Sequence, residues 1–356
     1  MESMLTSAVD PGFPPQAQRL GVVDMHTAGE PVRIFDATGL GIPGRSILDR
    51  RRAMKEQFDH LRRAMMLEPR GHSDMYGAIL VDPGIPGADA AVLFTHVSGY
   101  STMCGHATIA LGRFLYDRAR RAGREQTAFT LECPCGPVAI SVEPSADPLE
   151  APQVRFESVE SFALALDESI ELPGYGRVEF DIGYGGAFYA ILPSARIGLD
   201  FHAAPLDRLV AAAGTLVAEL RATRSFRHPE EADLSFLYGA ILTDADRPAA
   251  DRVNPNLCWF GEGQIDRSPT GSGVSARLAV GNAKSEVAIG DTYAFAGVSG
   301  QVFHGDVARR SGQGIIASVS GRAYYMARSE LILETRDPFA AGFALPRRFG
   351  ALPKTD

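Results

Sequence analysis

Apolar residues recur along this chain with two different periods, and their alternation outlines the architecture. Residues 20–25 and 32–35 are short apolar-rich runs that predict strands, separated by the loop His26-Thr27-Ala28-Gly29-Glu30-Pro31. Ile47, Met54, Phe58, Leu61 and Met65 then fall at helical spacing through a segment carrying Arg50, Arg51, Arg52, Arg62 and Arg63. That spacing predicts one amphipathic helix with a solvated basic face. After the turn Glu68-Pro69-Arg70-Gly71-His72, strands are expected at 75–81 and 90–94, and residues 99–104 lead into a helix over about 105–120. Ala107, Ile109, Ala110, Leu111, Phe114 and Leu115 make this helix apolar on most sides, so it is expected to be buried. Residues 129–133 and 138–142 read as a hairpin around Pro134, Gly136 and Pro137, and the turn-rich stretch 144–152 reads as a linker.

The same order then returns. Strands are expected at 154–156, 176–183, 187–192 and 234–242, with a helix over 206–220 whose Leu206, Leu209, Ala213, Leu216, Val217 and Leu220 share one face. A second apolar helix passes through Arg277-Leu278-Ala279-Val280, and the stretch 292–334 is β-rich. A two-fold internal repeat of α/β domains, each holding one buried helix, is the simplest architecture with this pattern. At 356 residues the chain is long for a single core, which also favours two domains.

Composition narrows the function. Apolar content of 45% and charged content of 22% are ordinary for a globular enzyme. A net charge of −8 leaves no excess of Lys and Arg to neutralise phosphates, which argues against nucleic acid as a partner. The first twenty residues contain Pro11, Gly12, Pro14 and Pro15 and no signal-like apolar run. No stretch reaches the roughly 20 apolar residues of a membrane span. The expectation is a cytoplasmic protein with no membrane partner. Cys104, Cys133, Cys135 and Cys258 do not form a disulfide framework. Cys133 and Cys135 are too closely spaced for the usual paired-cysteine zinc or redox motifs and read as small buried residues on a strand.

The candidate chemistry lies in a motif that occurs twice. Met103-Cys104-Gly105-His106-Ala107-Thr108-Ile109-Ala110 matches Pro269-Thr270-Gly271-Ser272-Gly273-Val274-Ser275-Ala276, with Cys104 aligned to Thr270 and Gly105 to Gly271. Each copy opens a predicted helix. Free N–H groups at a helix start, approached closely at glycine, form an anion pocket, and two such starts facing one point would hold a carboxylate. Neutralising that carboxylate stabilises a carbanion-like transition state without pyridoxal phosphate or a metal, and a thiolate at Cys104 would be the base. The macrodipole is expected to lower the Cys104 pKa. An isolated cysteine is more often structural; the repeat with matched glycines favours function. His106 reads equally as a helix-capping residue and as a site residue. Asp266, four residues before Thr270, is placed to hold a substrate ammonium. The pattern Gly271-Ser272-Gly273-Val274-Ser275-Ala276 resembles a dinucleotide fingerprint, but lacks the βαβ unit and the acidic residue about 20 positions on. His26 and Glu30 are a poor metal pair because Gly29 and Pro31 oppose a helix.

Taken together, several motifs resemble the proline racemase superfamily, which includes hydroxyproline epimerases and trans-3-hydroxy-L-proline dehydratases. They are Asp24-Met25-His26-Thr27-Ala28-Gly29-Glu30-Pro31, Glu68-Pro69-Arg70-Gly71-His72, Met103-Cys104-Gly105-His106, Tyr184-Gly185-Gly186, Asp266-Arg267-Ser268-Pro269, and Asp337-Pro338 through Phe343. The resemblance implies an α/β fold of two pseudo-symmetric domains of the diaminopimelate-epimerase type, each a mostly antiparallel sheet or barrel around a buried helix. The first would be residues 1–155 plus 338–356, carrying Cys104, and the second 156–337, carrying Thr270. The site would lie in the cleft between them, with no cofactor and no metal. Cys104 is similar to the first catalytic cysteine. Gly105, His106, Gly271 and Ser272 resemble substrate-binding positions, and Asp266 resembles the partner of the substrate's ring nitrogen. A homodimer acting on a small imino acid is implied as well.

Thr270 departs from the racemase pattern, which has a second cysteine there, and Ala187 follows Gly185-Gly186 where many racemases have asparagine. Both resemble the dehydratase branch. A threonine hydroxyl is a poor acid or base, so a site with one thiol deprotonates without inverting. With a leaving group on the adjacent carbon, deprotonation ends in β-elimination. In trans-3-hydroxy-L-proline the hydroxyl shares a face with the α hydrogen, so one thiol serves a syn-elimination of water to pyrroline-2-carboxylate. The role of His106 in protonating the leaving hydroxyl stays open. The alternative within the family is a 4-hydroxyproline 2-epimerase or proline racemase. Outside it stand a binding protein that has lost turnover and, more weakly, a thiol redox sensor.

Overall fold

The computed structural model describes residue 14 and residues 16–345. The expected features before and after these bounds, including the end of the 338–356 tail, lie outside the described residues. The first half of the chain opens with β1 (Gln18–Thr27) and β2 (Glu30–Asp36), a hairpin closed by Ala28 and Gly29, both at positive φ. The expected six-residue loop is thus only a two-residue turn, because His26, Thr27, Glu30 and Pro31 are all paired.

The Arg-rich segment is two helices, α1 (Ile47–Gln57) and α2 (Asp59–Met66), broken at Phe58. Ser46 and Asp49 form a capping box that starts α1. The basic face is only partly solvated. Arg62 is buried, gripped by the Asp59 carboxylate and donating to the His96 and Val97 carbonyls, and Arg51 donates to the Tyr100 carbonyl. Unpaired main-chain carbonyls at the end of a neighbouring strand draw these guanidiniums inward.

β3 (Tyr76–Val81), β4 (Ala90–His96) and the short β5 (Gly99–Tyr100) precede α3 (Gly105–Arg121). The expected hairpin is β6 (Ala128–Cys133) and β7 (Gly136–Glu143). Cys133 ends β6 and is buried; Cys135 lies in the turn and is half-buried, not on a strand. β8 (Gln153–Glu157) pairs with β7, so residues 144–152 are a hairpin connection rather than a linker.

The second half contains β9 (Phe162–Leu172), β10 (Gly176–Tyr184), β11 (Phe188–Pro193), α4 (Leu206–Thr223), β12 (Leu237–Thr243), β13 (Val253–Phe260), β14 (Gln264–Asp266) and α5 (Gly271–Ala283). β15 (Thr292–Ala296), β16 (Val302–Ser311), β17 (Gly314–Gly321) and β18 (Ala323–Leu333) complete it.

Strand pairing repeats between the halves. β2 runs parallel to β3 as β11 does to β12, and β4 runs parallel to β6 as β13 does to β15. β3–β4, β6–β7 and β7–β8 have counterparts in β12–β13, β15–β16 and β16–β17. The halves join where β8 pairs with β17. Beyond that junction the chain crosses over, since β9 lies along β10 and β18 along β1. The expected 155/156 division therefore falls inside β8, and pairing sets residues 323–333 with the first half.

Each half wraps its sheet around one helix. One large core cluster takes in both α3 and α5, while α1 and α2 cover an outer face of the first half and α4 an outer face of the second. Among the described residues no helix is long and apolar enough to cross a membrane.

The two central helices meet end to end at their first residues. A Cβ on Gly271 would stand 2.7 Å from the Gly105 Cα and 3.2 Å from the Phe156 ring, and a Cβ on Gly105 would strike the Gly271 backbone. By helix propensity alone, Gly271→Ala stabilises by up to ~1 kcal/mol. Because backbone cannot yield as a side chain can, we expect instead a loss of about 1–3 kcal/mol. Urea unfolding of Gly271→Ala gives the sign, and a stabilised variant would refute the contact.

Candidate active site

Cys104 is the N-cap of α3, in extended conformation (φ −147°), and its sulfur accepts the Ala107 N–H at 3.4 Å. Thr270 is the N-cap of α5, but its backbone is left-handed (φ 63°), a conformation rare for a β-branched residue, and its side chain caps nothing. Its Oγ1 is buried without a hydrogen-bond partner. The aligned positions therefore differ in backbone as well as in chemistry.

Around them the fold brings together every residue expected at the site. His106 Nδ1 lies 3.1 Å from the Cys104 sulfur and 4.0 Å from Asp266 Oδ2. Asp266 ends β14, and its Oδ1 accepts the Ser268 N–H at 2.7 Å. The Ser272 hydroxyl bonds the Tyr189 hydroxyl at 2.8 Å. Gly105 and Gly271 complete the floor, with the helix-start N–H groups that have no intrahelical acceptor. The cavity is small, about 10 Å³, room for about one water molecule and far below the roughly 300–1,000 Å³ of ordinary ligand pockets. Cys104, His106, Asp266, Thr270 and Ser272 are all at most 5% exposed.

Burial sets the electrostatics. It pushes the Cys104 thiol well above its ordinary range, against the opposing pull of the Ala107 N–H, and the Asp266 and Glu30 charges push it further. The expected low-pKa thiolate is therefore corrected: desolvation in the empty cavity outweighs the helix terminus. His106 is pulled down by burial, against the Asp266 carboxylate and the Pro31 carbonyl, which favour its protonated form. Both shifts favour the uncharged pair, a thiol with a neutral imidazole beside it at 3.1 Å.

Several wall residues escaped the sequence reading. Tyr76, Tyr189 and Tyr238 lie on expected strands that were given no part in the site, and Cys258 and Phe260 lie on β13, which was not expected. Glu30, considered only as half of a metal pair, is fully buried; its Oε2 accepts the Arg267 N–H at 2.7 Å, and its Oε1 has no partner. Burial, then the Asp266 charge, pushes the Glu30 carboxyl well up. The signal that could have exposed Glu30 is its place beside a hairpin turn next to His26. Among the described residues no cluster of His, Cys, Asp and Glu is arranged to hold a metal ion.

The sequence profile named proline racemase matches residues 22–344. The chain belongs to the proline racemase family. It is 43% identical to the mouse (Mus musculus) trans-L-3-hydroxyproline dehydratase, over 97% of this chain and all of that one. A probable proline racemase from Agrobacterium radiobacter, solved with bound carbonate, superposes with a TM-score of 0.84 at 29% identity, covering 92% of this chain and 96% of that one. A hydroxyproline epimerase from Agrobacterium vitis, solved with trans-4-hydroxy-L-proline, gives 0.83 at 26% identity, covering 93% and 96%. Proline racemase-family membership accords with the observed mixed, mostly β architecture.

Behind the cavity, His96 stacks on Tyr76 with ring centroids 6.0 Å apart and meets Phe260 edge-on. Burial, then the nearby Arg62 charge, lowers its pKa to about 3. In the unfolded chain the same imidazole titrates near 6.5. The unfolded state thus binds the extra proton, so the stability contribution is complete above about pH 6.5 and is lost as pH falls toward 3. Between pH 7.5 and 5 we expect His96→Gln to remove about 2 kcal/mol of the acid sensitivity of unfolding. Urea melts at both pH values measure it; an unchanged difference would count against a neutral buried His96.

Proposed function

We propose that this protein removes water from trans-3-hydroxy-L-proline to give pyrroline-2-carboxylate, without a cofactor. The observation that carries the reading is that one wall of the cavity holds a thiol, Cys104, while the aligned position opposite holds only the Thr270 hydroxyl. The naming of the mouse relative as a trans-L-3-hydroxyproline dehydratase supports it.

In this reading the substrate carboxylate sits at the paired helix starts, on N–H groups of Gly105, His106, Gly271 and Ser272, where fixed dipoles oppose its charge. The ring ammonium faces Asp266. That contact offsets the Asp266 charge that otherwise helps hold the thiol protonated, so substrate binding favours the Cys104 thiolate, and His106 Nδ1, 3.1 Å from the sulfur, is placed to receive its proton. The Cys104 thiolate then takes the α proton from the face that also bears the 3-hydroxyl, and Thr270 orients the ring from the other side. Loss of the hydroxyl leaves an enamine that tautomerises to the imine. The reading includes the cytoplasmic location expected from the sequence, a homodimer, as the family resemblance implies, and two domains, close to the expected 1–155 plus 338–356 and 156–337, flanking the cleft.

Epimerisation of 4-hydroxyproline, the alternative, needs an acid on the Thr270 wall. Purified protein incubated with trans-3-hydroxy-L-proline is expected to yield pyrroline-2-carboxylate, detected by reduction or imine trapping, and to leave the α centre of trans-4-hydroxy-L-proline uninverted. Inversion without dehydration would replace this assignment with the epimerase. Cys104→Ser is expected to lose ~10²–10⁴-fold in kcat, the range of a missing general base; full retention would sink the single-base mechanism. Thr270→Cys, which restores an ionisable group on the second wall, is expected to gain α-proton exchange with inversion of trans-4-hydroxy-L-proline. Chiral chromatography of the products in deuterated water reports it, and a variant as inert as the parent would place the limit elsewhere than at residue 270.

A further inference from the structure

Two side-chain hydroxyls at the cavity have no partner: Thr270 Oγ1 and the Tyr76 phenol. A buried hydroxyl without a hydrogen bond is a net cost that phenylalanine would avoid, and such groups in a folded protein call for a functional explanation. The hydroxyls of Tyr189, Ser272 and Ser101 are committed. Tyr189 bonds Ser272, and Ser101 donates to the Met103 carbonyl.

Tyr76 begins β3 and is 2% exposed. Its ring is wedged by three others: edge-on to His106 at 4.8 Å, stacked with His96 at 6.0 Å and edge-on to Phe260 at 6.1 Å. The phenol is thus fixed in direction rather than free to swing. It borders the Cys104 thiol closely enough that each affects the other's ionisation, and burial keeps it protonated. It is a donor held on the thiol's side of the cavity, with the Cys104 thiol and the Ser101 and Tyr238 hydroxyls as its polar neighbours and none of them at hydrogen-bond distance and angle. Thr270, the other unpartnered hydroxyl, lies on the opposite wall.

The proposed reaction needs a donor on the thiol's side. In trans-3-hydroxy-L-proline the α hydrogen and the 3-hydroxyl share a face, so the base and the acid of a syn-elimination must stand together. Resting on the dehydratase reading, we propose that Tyr76 is a catalytic residue, its phenol donating to the substrate 3-hydroxyl and protonating it as the C3–O bond breaks. The steps balance. The Cys104 thiolate takes the α proton, forming S–H, and the C–H electron pair becomes the Cα–C3 double bond. The C3–O pair leaves with oxygen, which takes the Tyr76 proton to become water. The Cys104 thiol then returns its proton to the phenolate, restoring both groups, while His106 keeps its proton throughout.

The test is Tyr76→Phe, assayed with trans-3-hydroxy-L-proline in deuterated water beside the parent. Removing an unpartnered hydroxyl should leave the melting temperature unchanged or raised. Dehydration should fall ~10²–10³-fold, the range of a lost general acid, while recovered substrate gains α deuterium because the deprotonated species now returns instead of eliminating. That split between retained C–H and lost C–O cleavage supports the assignment. Dehydration within about three-fold of the parent would overturn it. So would parallel loss of dehydration and exchange, with or without a lowered melting temperature, since a merely structural Tyr76 predicts that pattern. A parent enzyme that exchanges the α proton but never releases water would instead overturn the dehydratase reading itself, and this role of Tyr76 with it.

Discussion

The back-to-back contact of Gly105 and Gly271 is the constraint on which the rest of the molecule depends. With no Cβ on either residue, the starts of α3 and α5 come within touching distance at the axis relating the two halves. From that point each helix runs into its own half and is surrounded by sheet, so α5 is buried along residues 271–281 and α3 along residues 105–112. The repeated strand pairings, and the β8–β17 junction that ties them, hold the two helix starts against each other. Two sets of unpaired N–H groups then face one small volume, a fixed positive end for an anionic ligand supplied by backbone alone.

Closing that volume to water makes its charges expensive. Cys104 and Glu30 are both driven toward their neutral forms by burial, and each is driven further by the negative charge at Asp266. A site of this kind offers donors to an anion and an acid group to a cation. A zwitterionic amino acid supplies both at once. Its cationic end relieves the repulsion that keeps the thiol protonated, so the base is generated where and when substrate is bound. Low dielectric, which opposes the thiolate in the empty protein, then strengthens every contact around the filled one.

Much of this was legible in the residues. The periodicity of 105–120 located α3, and the repeat of Cys104-Gly105 in Thr270-Gly271 pointed to paired helix starts, because small residues at a helix start leave a local signature. What escaped needed tertiary information. β9 is an edge strand whose charged, exposed residues Asp167, Glu168 and Glu171 hide its pattern, and β13 contains Pro255. Arg62 reads as surface until the strand-end carbonyls that bind it are seen. Tyr76 and Glu30 were invisible as site residues because a buried phenol or carboxyl looks like any other core position until its missing partner is known. The depressed thiol pKa expected from the helix terminus failed for a related reason: sequence shows the dipole but not the depth.

The symmetry of the scaffold does not decide the chemistry; its breaking does. Cys104 adopts an ordinary capping conformation and is tied to its helix by the Ala107 N–H, whereas Thr270 sits in a strained left-handed conformation with its hydroxyl turned loose. Such a backbone persists because its surroundings impose it, so the identity of residue 270 is free to vary in chemistry without setting the local fold. A hydroxyl there can hold a ring in place but cannot trade protons near neutral pH. With only one of the two helix starts carrying an acid–base group, a carbanion formed at the α carbon lacks the paired acid that inversion uses. Its remaining exit is to expel a group from the adjacent carbon, and a donor on the thiol's own side makes that exit open only to a substrate whose hydroxyl lies on the same face as the proton removed.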